Sequence, residues 1–238
     1  MGVASKAQID GKEQIQRLLL SSLVPFKDHP FRVVDDDRMK ETVESIQEYG
    51  VLVPILVRPL EDGAYEIISG HRRKRAAALL GYRKIPVLIQ PMSYEDAVVK
   101  MVDTNLHREH ISFSEKAFAY RMKNEALKQK VGRKKGQSGQ QKKGKKTIEL
   151  IGEEFGDSPK QVQRYIAVTR LIPELLQKLD QGEISFNPAV EISALTKEEV
   201  IRMLMILILV NIFSTMIMRH SKLGLFNLMQ TALWIMSK

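Results

Sequence analysis

The sequence predicts an α+β protein in which a small mixed α/β domain precedes an all-α domain. From residue 24 to residue 91, short β-branched runs alternate with helical patterns and are separated by turn residues such as Gly50, Gly70 and Gly81. From residue 94 onward, the spacing of apolar residues is helical. Residues 128–146 contain nine Lys or Arg, no acid and four glycines, which predicts a flexible basic linker within the helical part.

The composition restricts the classes of protein. The chain has 238 residues, a net charge of +9 and no cysteine. This length allows one or two domains with their own cores, and the positive charge favours a polyanionic partner, either nucleic acid or an acidic membrane surface. The lack of cysteine excludes disulfides, thiolate metal sites and cysteine nucleophiles. Residues 1–17 carry Lys, Asp and Glu where a secretory signal needs an apolar run, so export is not expected.

The predicted α/β domain occupies residues 23–110 and follows a flexible polar leader of residues 1–22. Its elements are helices over residues 38–49 and 72–80 and strands over residues 55–59, 65–68 and 85–89. The first helix has Met39, Val43 and Ile46 on one face, and Gly81 ends the second. The turn of Asp62 and Gly63 separates the first two strands.

The all-α domain is predicted over residues 111–200, and residues 201–238 are an atypical apolar tail. Helices are predicted over residues 94–105, 112–130, 147–155, 158–171, 172–179 and 187–195. Thr196 is placed to cap a further helix, whose first turn contains Glu198 and Glu199.

Residues 147–171 have the pattern of a helix-turn-helix. Ser158 is placed to cap its second helix, and Pro159 takes the first helical position, where a missing N–H costs nothing. The second helix of such a motif contacts base edges, for which Gln and Arg are well suited. The residues expected to bind DNA are Ser158, Lys160, Gln161, Gln163 and Arg164 on this helix, with Lys142, Lys143, Lys145 and Lys146 of the linker on phosphates. The alternative is an ordinary solvated helix hairpin, in which Tyr165 simply packs.

A phosphate-binding site is predicted at the start of the second helix of the α/β domain. A β-branched run at residues 67–68 leads through Gly70 into a first turn with four basic residues, 72–75. Free N–H groups at a helix start attract anions, whereas arginines there oppose the helix dipole unless an anion is bound. The alternative is a set of salt bridges from these arginines to Glu41, Glu44 or Glu66.

Three blocks of sequence, residues 50–59, 70–75 and 105–109, resemble the N-terminal domain of the ParB/RepB family of plasmid and chromosome partition proteins. With a KorB-type helix-turn-helix, the resemblance covers residues 24–199. It implies a ParB/sulfiredoxin-like N-terminal fold and a homodimer on the nucleoid in the cytoplasm. It also implies a sequence-specific DNA-binding protein that marks a centromere-like site and contacts a ParA-type ATPase through its leader. In such proteins CTP with Mg²⁺ gates a sliding clamp.

By this resemblance the nucleotide-binding residues are Gly70, His71, Arg72, Arg73, Arg75, Asn105 and Arg108. They match a Gly-Glu-Arg-Arg-x-Arg box and a Glu-Asn-x-x-Arg box, except that His71 and Thr104 stand where the boxes have glutamate. Since Mg²⁺ prefers carboxylates, phosphates and water, Asn105 is left as the metal ligand, with Asp103 within reach. We expect triphosphate binding to survive and the chain to be at most a weak CTPase.

Two other functions are compatible with the sequence. One is a site-specific transcriptional repressor with the same domains but without CTP-driven sliding. The other is an enzyme similar to sulfiredoxin, which acts through a Gly-Cys-His-Arg motif; the lack of cysteine disfavours it.

The tail departs from the family. Residues 203–218 contain no charged residue, and sixteen helical residues rise only about 24 Å, short of the ~30 Å core of a bilayer. The family's charge-rich dimerisation element is replaced here. A frameshift near Glu199 or Val200 would explain the change; a genuine tail is expected to be buried in a dimer.

Overall fold

The computed structural model describes residues 14–108, 111–135, 146–196 and eight positions between residues 198 and 213. A compact unit extends to Val190, and a second unit begins at Glu191. The predicted division into a mixed α/β part and a following helical part is confirmed by the described residues.

A five-stranded mixed sheet forms the centre of the α/β part, in the order β1-β5-β3-β4-β2. The strands are β1 Gln14–Leu19, β2 Leu23–Val24, β3 Ile55–Pro59, β4 Tyr65–Ser69 and β5 Lys84–Ile89. β5 pairs antiparallel with β1 and parallel with β3. β4 pairs antiparallel with β3 and parallel with β2.

The prediction of a flexible leader through residue 22 is wrong for its last part. β1 pairs along its whole length with β5, from Gln14 opposite Ile89 to Leu19 opposite Lys84. Leu18 also packs against the core that contains Ile85 and Val87. Local periodicity does not reveal pairing between strands that are far apart in the sequence. Residues 14–19 form a strand because they pair with β5 at the edge of the sheet.

Helices cover both faces of the sheet. The helices are α1 Asp37–Tyr49, α2 His71–Leu79, α3 Tyr94–Leu106, α4 Phe113–Lys135, α5 Thr147–Phe155, α6 Pro159–Val168, α7 Pro173–Asp180 and α8 Phe186–Ile192. On one face, α2 packs through Ala77 onto the β-branched residues of the sheet, and α1 packs against α2. On the other face, α3 packs on Leu56 and Ile68, and α4 contributes Ala119 and Ala126 to the same core.

The first part of the predicted linker is helical, because it belongs to the long helix α4. Residues 128–146 were expected to be a flexible basic segment, but α4 continues through Lys135. Lys and Arg are good helix formers, so the run of basic residues does not by itself end a helix that tertiary contacts have started. Residues 136–145 lie outside the described residues.

The helix cap predicted at Thr196 is present in the second unit. Thr196 Oγ accepts the Glu199 N–H (3.2 Å) and the Thr196 N–H donates to the Glu199 carboxylate (2.7 Å), a reciprocal helix cap. Met205, Ile206, Leu209 and Val210 of the tail are each more than half exposed within this unit. Among the described residues, no helix is long and apolar enough to cross a membrane.

Candidate functional site

The start of α2 has the geometry expected of an anion site. β4 ends at Ser69, and Gly70 follows with φ +106°, a left-handed conformation that favours glycine. A Cβ at this position would lie 3.0 Å from Nη2 of Arg73 and 3.2 Å from Cγ1 of Ile55. No side chain caps α2. The first-turn N–H groups are therefore left for a ligand or solvent.

Two arginines of this first turn form ion pairs with the segment before α1. Arg72 contacts Asp36 at 3.2 Å, and Arg75 contacts Asp35 at 2.7 Å. The hydrogen bond from Arg75 holds the pKa of Asp35 below its ordinary value. The predicted alternative partners do not take this role: Glu66 binds Arg58 instead, at 2.6 Å.

The other two basic side chains donate to backbone carbonyls. Arg73 donates from Nη1 to Pro54 O at 2.8 Å and also to Val53 O. Lys74 donates to Leu23 O at 2.7 Å. Both contacts fix the loop before β3 and the strand β2, so Arg73 shapes the wall of the site and does not point freely into it.

His71 turns its imidazole into the domain. Its Nε2 accepts the Phe26 N–H at 3.4 Å, and its ring centroid lies 3.9 Å from that of His29. Burial, together with His29, Lys74 and Arg108, lowers the pKa of His71 to about 3. Nδ1 of His29 donates to Phe31 O at 2.7 Å, and its buried Nε2 has no partner among the described residues. Both imidazoles are neutral at physiological pH. The backbone N–H of His71, at the uncapped start of α2, is the group of this residue that can donate to a ligand.

The second predicted box lies at the end of α3. Asn105 is 1 % exposed, its amide nitrogen donates to Met101 O at 2.7 Å, and its buried Oδ1 has no partner in the described structure. The Arg108 guanidinium lies 5.8 Å from the ring centroid of Phe31 and has no hydrogen-bond acceptor within the described ranges. Desolvation, followed by the charge of Arg72, lowers the pKa of Arg108. A buried oxygen without a donor, such as Oδ1 of Asn105, is costly unless a ligand pairs with it, whereas the exposed Arg108 side chain is open to solvent or to a ligand.

Arg72 and Arg108 open onto one groove of about 730 Å³, a volume suited to a small ligand. Its charged lining consists of Arg32, Arg38, Arg72 and Arg108 with Asp36, Glu41, Glu115 and Asp180. Three of the acids already accept hydrogen bonds from the protein. Asp36 caps α1, Glu115 accepts the Arg32 N–H at 2.8 Å, and Asp180 accepts the Ser114 N–H at 2.9 Å. Their charges are therefore partly satisfied. Because Arg72 is itself paired with Asp36, Arg108 is the one of these two arginines that is available to an anion.

The residues present fit a phosphate chain but offer little to a magnesium ion. Asn105 Oδ1 is one neutral ligand. Asp103 is engaged by the buried amine of Lys123, and Thr104 Oγ donates to Lys100 O and Met101 O at 3.0 Å. In the ranges that the structure describes, no three His, Asp or Glu residues cluster as a metal site. The expected contribution of Asp103 to the metal is wrong, because burial beside Lys123 takes its carboxylate away.

The helices α5 and α6 carry the predicted DNA-binding residues. Ser158 Oγ accepts the Gln161 N–H at 3.1 Å, and Pro159 is the first residue of α6. Lys160 and Gln163 are exposed, and Tyr165 is buried. Gln161 and Arg164 are half-buried, with Arg164 Nη1 donating to Gln161 at 3.2 Å. Of the linker lysines, Lys146 precedes α5, and Lys142, Lys143 and Lys145 lie outside the described residues.

Two structural residues of this helix pair were not found by sequence reasoning. A Cβ on Gly152 would lie 2.4 Å from the Asp157 carbonyl oxygen, so the turn approaches α5 closely. The Asp157 carboxylate accepts from Tyr120 at 2.6 Å and pairs with Lys116 at 2.8 Å, both on α4. A lone glycine inside a helical pattern was the available signal.

These features define the class of the protein: an α/β domain with an uncapped, anion-suited helix start, joined to an all-helical part. Residues 4–106 match the family model described as the ParB N-terminal domain. Over these residues, which are less than half of the chain, the sequence is similar to the ParB N-terminal domain.

Curated relatives and solved structures show the same similarity. Over 144 residues the chain is 40% identical to the nucleoid occlusion protein of Bacillus thuringiensis (strain Al Hakam), which covers 56% of this chain and 49% of the relative. The chain thus spans about half the length of the curated relatives it matches. The pNOB8-like ParB-N domain in its C2221 form has a TM-score of 0.52 at 14% identity and covers 80% of this chain and 83% of its own, which shows the fold.

A more distant structural likeness involves a nucleotide complex. The C-terminally truncated chromosome-partitioning protein ParB from Caulobacter crescentus, complexed with CTP-gamma-S, is 26% identical. It covers 77% of this chain and 93% of its own, with a TM-score of 0.38.

Proposed function

We propose that this chain is a sequence-specific DNA-binding partition protein of the ParB type, which marks a centromere-like site for segregation of a plasmid, mobile element or chromosome. One observation carries the proposal. The helix α4 packs against α3, which ends in Asn105, and also against α5 and α6. The anion groove and the polar helix start at Ser158 therefore belong to one compact unit, as a nucleotide-gated DNA-binding protein requires.

The ligand of the groove is CTP. Its phosphates lie at the uncapped start of α2, beside Gly70 and the His71 N–H, where Arg72 and Arg108 supply positive charge. Asn105 Oδ1 accepts from the ligand or contacts a phosphate-bound Mg²⁺. The choice of cytosine rests on the family resemblance. Because no carboxylate stands beside Asn105, hydrolysis is slow or absent, and the nucleotide acts by binding.

The helix α6 enters the major groove as the second helix of a helix-turn-helix. Its exposed Lys160 and Gln163, together with the Ser158 cap at the helix start, lie where such motifs contact DNA. The lysines of the linker add phosphate contacts whose strength falls as salt rises.

The proposed partners are those that the resemblance to the ParB family implies. They are double-stranded DNA with a specific site, a ParA-type ATPase, and a second copy of this chain, all on the nucleoid in the cytoplasm. The curated relatives of this chain are named nucleoid occlusion proteins.

Genome-wide crosslinking of the protein in its host tests the proposal. Occupancy that spreads over kilobases around one or a few sites is the expected result, because a nucleotide-loaded clamp slides away from its site. Occupancy without any reproducible site would contradict sequence-specific binding.

A transcriptional repressor is the second candidate. The pairing of Asp103 with Lys123 favours it, since the carboxylate near Asn105 in the sequence is then engaged and Asn105 alone is left for the metal that a switching nucleotide uses. In the crosslinking experiment, a repressor gives sharp peaks confined to promoters.

A further inference from the structure

Arg164 is held in place by three neighbours before any DNA is present. It lies in the second turn of α6, where Nη1 donates to Gln161 Oε1 at 3.2 Å and Nη2 donates to Asn187 Oδ1. Its Cζ lies 5.1 Å from the ring centroid of Phe186, within the range of a cation–π contact. A surface arginine usually samples many rotamers, whereas this one has a fixed plane.

The surface beneath the guanidinium is itself rigid. The Phe186 ring stacks against Tyr165 of α6 at 4.7 Å and against Phe113 of α4 at 5.4 Å. Tyr165 is 8 % exposed and also meets Tyr120 edge-on at 5.7 Å. Three helices thus fix the aromatic ring on which Arg164 lies.

In this arrangement Arg164 can still donate further hydrogen bonds. A guanidinium has five N–H groups, and two of them are used by Gln161 and Asn187. Each terminal nitrogen has one further N–H, and Nε has its own; two parallel N–H groups of a guanidinium match O6 and N7 of guanine. An arginine whose rotamer is already fixed loses less conformational entropy on binding.

We propose that Asn187 is a positioning residue, which orients Arg164 so that its free N–H pair meets a guanine edge in the DNA site. This inference rests on the proposed function, in which α6 lies in the major groove. It adds the base that is recognised and a residue from α8, outside the helix pair, that controls the recognition.

The test is a selection of bound duplexes from a random-sequence pool, using the full-length protein and its variants. N187L replaces the amide by a side chain of similar size without an acceptor, and N187D keeps an acceptor oxygen. The wild-type protein should enrich a guanine at a position where R164A loses the enrichment. N187L should lose discrimination at that same position by roughly ten-fold or more, and N187D should retain it.

The control separates recognition from general affinity. K160A removes an exposed charge of the same helix, so it should weaken binding to all sequences and reduce the salt dependence without changing the preferred bases. Circular dichroism and binding to a non-specific duplex show that each variant is folded.

Three results would overturn the inference. They are a pool from N187L with the wild-type guanine preference, a loss in N187D equal to that in N187L, and tighter binding by N187L, which would mean that Asn187 holds Arg164 away from DNA. A wild-type pool with no enriched sequence would contradict the proposed function itself. This result differs from the three above, in which the wild-type protein still selects a specific sequence.

Discussion

At the scale of single residues, the candidate nucleotide site contains two groups that have no hydrogen-bond partner among the described residues. The guanidinium of Arg108 faces an aromatic ring without an acceptor in the described chain, and Oδ1 of Asn105 is buried without a donor. By contrast, Arg73 donates hydrogen bonds to the carbonyls of Val53 and Pro54. Loss of Arg73 would therefore disturb the loop, whereas loss of Arg108 removes a ligand contact.

Arg108→Ala should weaken nucleotide binding by about ten- to a hundred-fold, because a hydrogen bond to a charged group contributes about 1.5–3 kcal/mol. Titration calorimetry with CTP measures the change. R121A is the matched control, since Arg121 is an exposed arginine paired with Glu125 on α4. An R108A protein with the dissociation constant of the wild type would remove Arg108 from the site.

His71 makes stability depend on pH in the acidic range. Its pKa is about 3 in the folded protein and about 6.5 in the unfolded chain. The unfolded state therefore binds more protons between these values, so stability is present above pH 6.5 and is lost as pH falls towards 3. Between pH 7 and pH 5, the loss is up to about 2 kcal/mol.

Urea denaturation at these two pH values checks this. The variant H71Q, which keeps an acceptor for the Phe26 N–H, should lose less stability on acidification than the wild type. H107Q changes an exposed histidine and should behave as the wild type does. Equal losses in H71Q and the wild type would contradict the assignment.

Thr104→Glu should restore a carboxylate beside Asn105. Thr104 is exposed, and its hydroxyl donates to the carbonyls of Lys100 and Met101 and accepts from the Asn105 amide at 3.4 Å. We therefore expect room for a longer side chain beside Asn105. We expect added Mg²⁺ to tighten CTP binding more in T104E than in the wild type, since Mg²⁺ prefers carboxylate ligands. T104Q has the same length without the charge, and a magnesium effect as large in T104Q as in T104E would exclude the carboxylate as the cause.

At the scale of elements, α4 holds the helical part to the α/β part through buried polar groups. Lys123 is 2 % exposed, and its amine lies between Asp103 of α3 and Glu154 of α5, 2.5 Å from the Glu154 oxygen. Its Nζ also lies 4.6 Å from the ring centroid of Phe155. One lysine thus joins three helices, and burial raises the pKa of Asp103 even though Lys123 opposes the shift.

Lys123→Met should destabilise the protein by about 3–5 kcal/mol, because it leaves two carboxylates close together without their cation. Chemical denaturation measures the loss. The triple variant K123M/D103N/E154Q should recover most of it, since no charge then remains unpaired. R121A removes an exposed pair on the same helix and should cost less than about 1 kcal/mol. A loss as large in the triple variant as in K123M would mean that packing, and not charge, is responsible.

At the scale of the whole molecule, local signals predicted the elements well and tertiary contacts decided the rest. The helix at Thr147–Phe155 and the strand at Ile55–Pro59 have the predicted bounds, because turns and caps mark their ends in the sequence. The pairing of Arg72 and Arg75 with Asp36 and Asp35 depends on how the segment before α1 folds back, which no local pattern records.

The candidate site was predicted as a set of residues and not as a geometry. Gly70, Asn105 and Arg108 were predicted as site residues because their boxes are short and specific. The inward position of His71 beside His29 and the burial of Lys123 were not, since a lone histidine or lysine in a sequence says nothing about the distant side chain that it meets.

The edge strand β1 also determines the order in which the sheet can assemble during synthesis. β1 leaves the ribosome first, but Leu19 pairs with Lys84, which is 65 positions further along the chain. At 5–20 residues per second, the partner strand emerges roughly 3 to 13 s later. Throughout this interval Ile15, Leu18 and Leu19 are exposed without a partner strand, so the nascent chain presents an apolar segment to cellular chaperones until β5 has been translated.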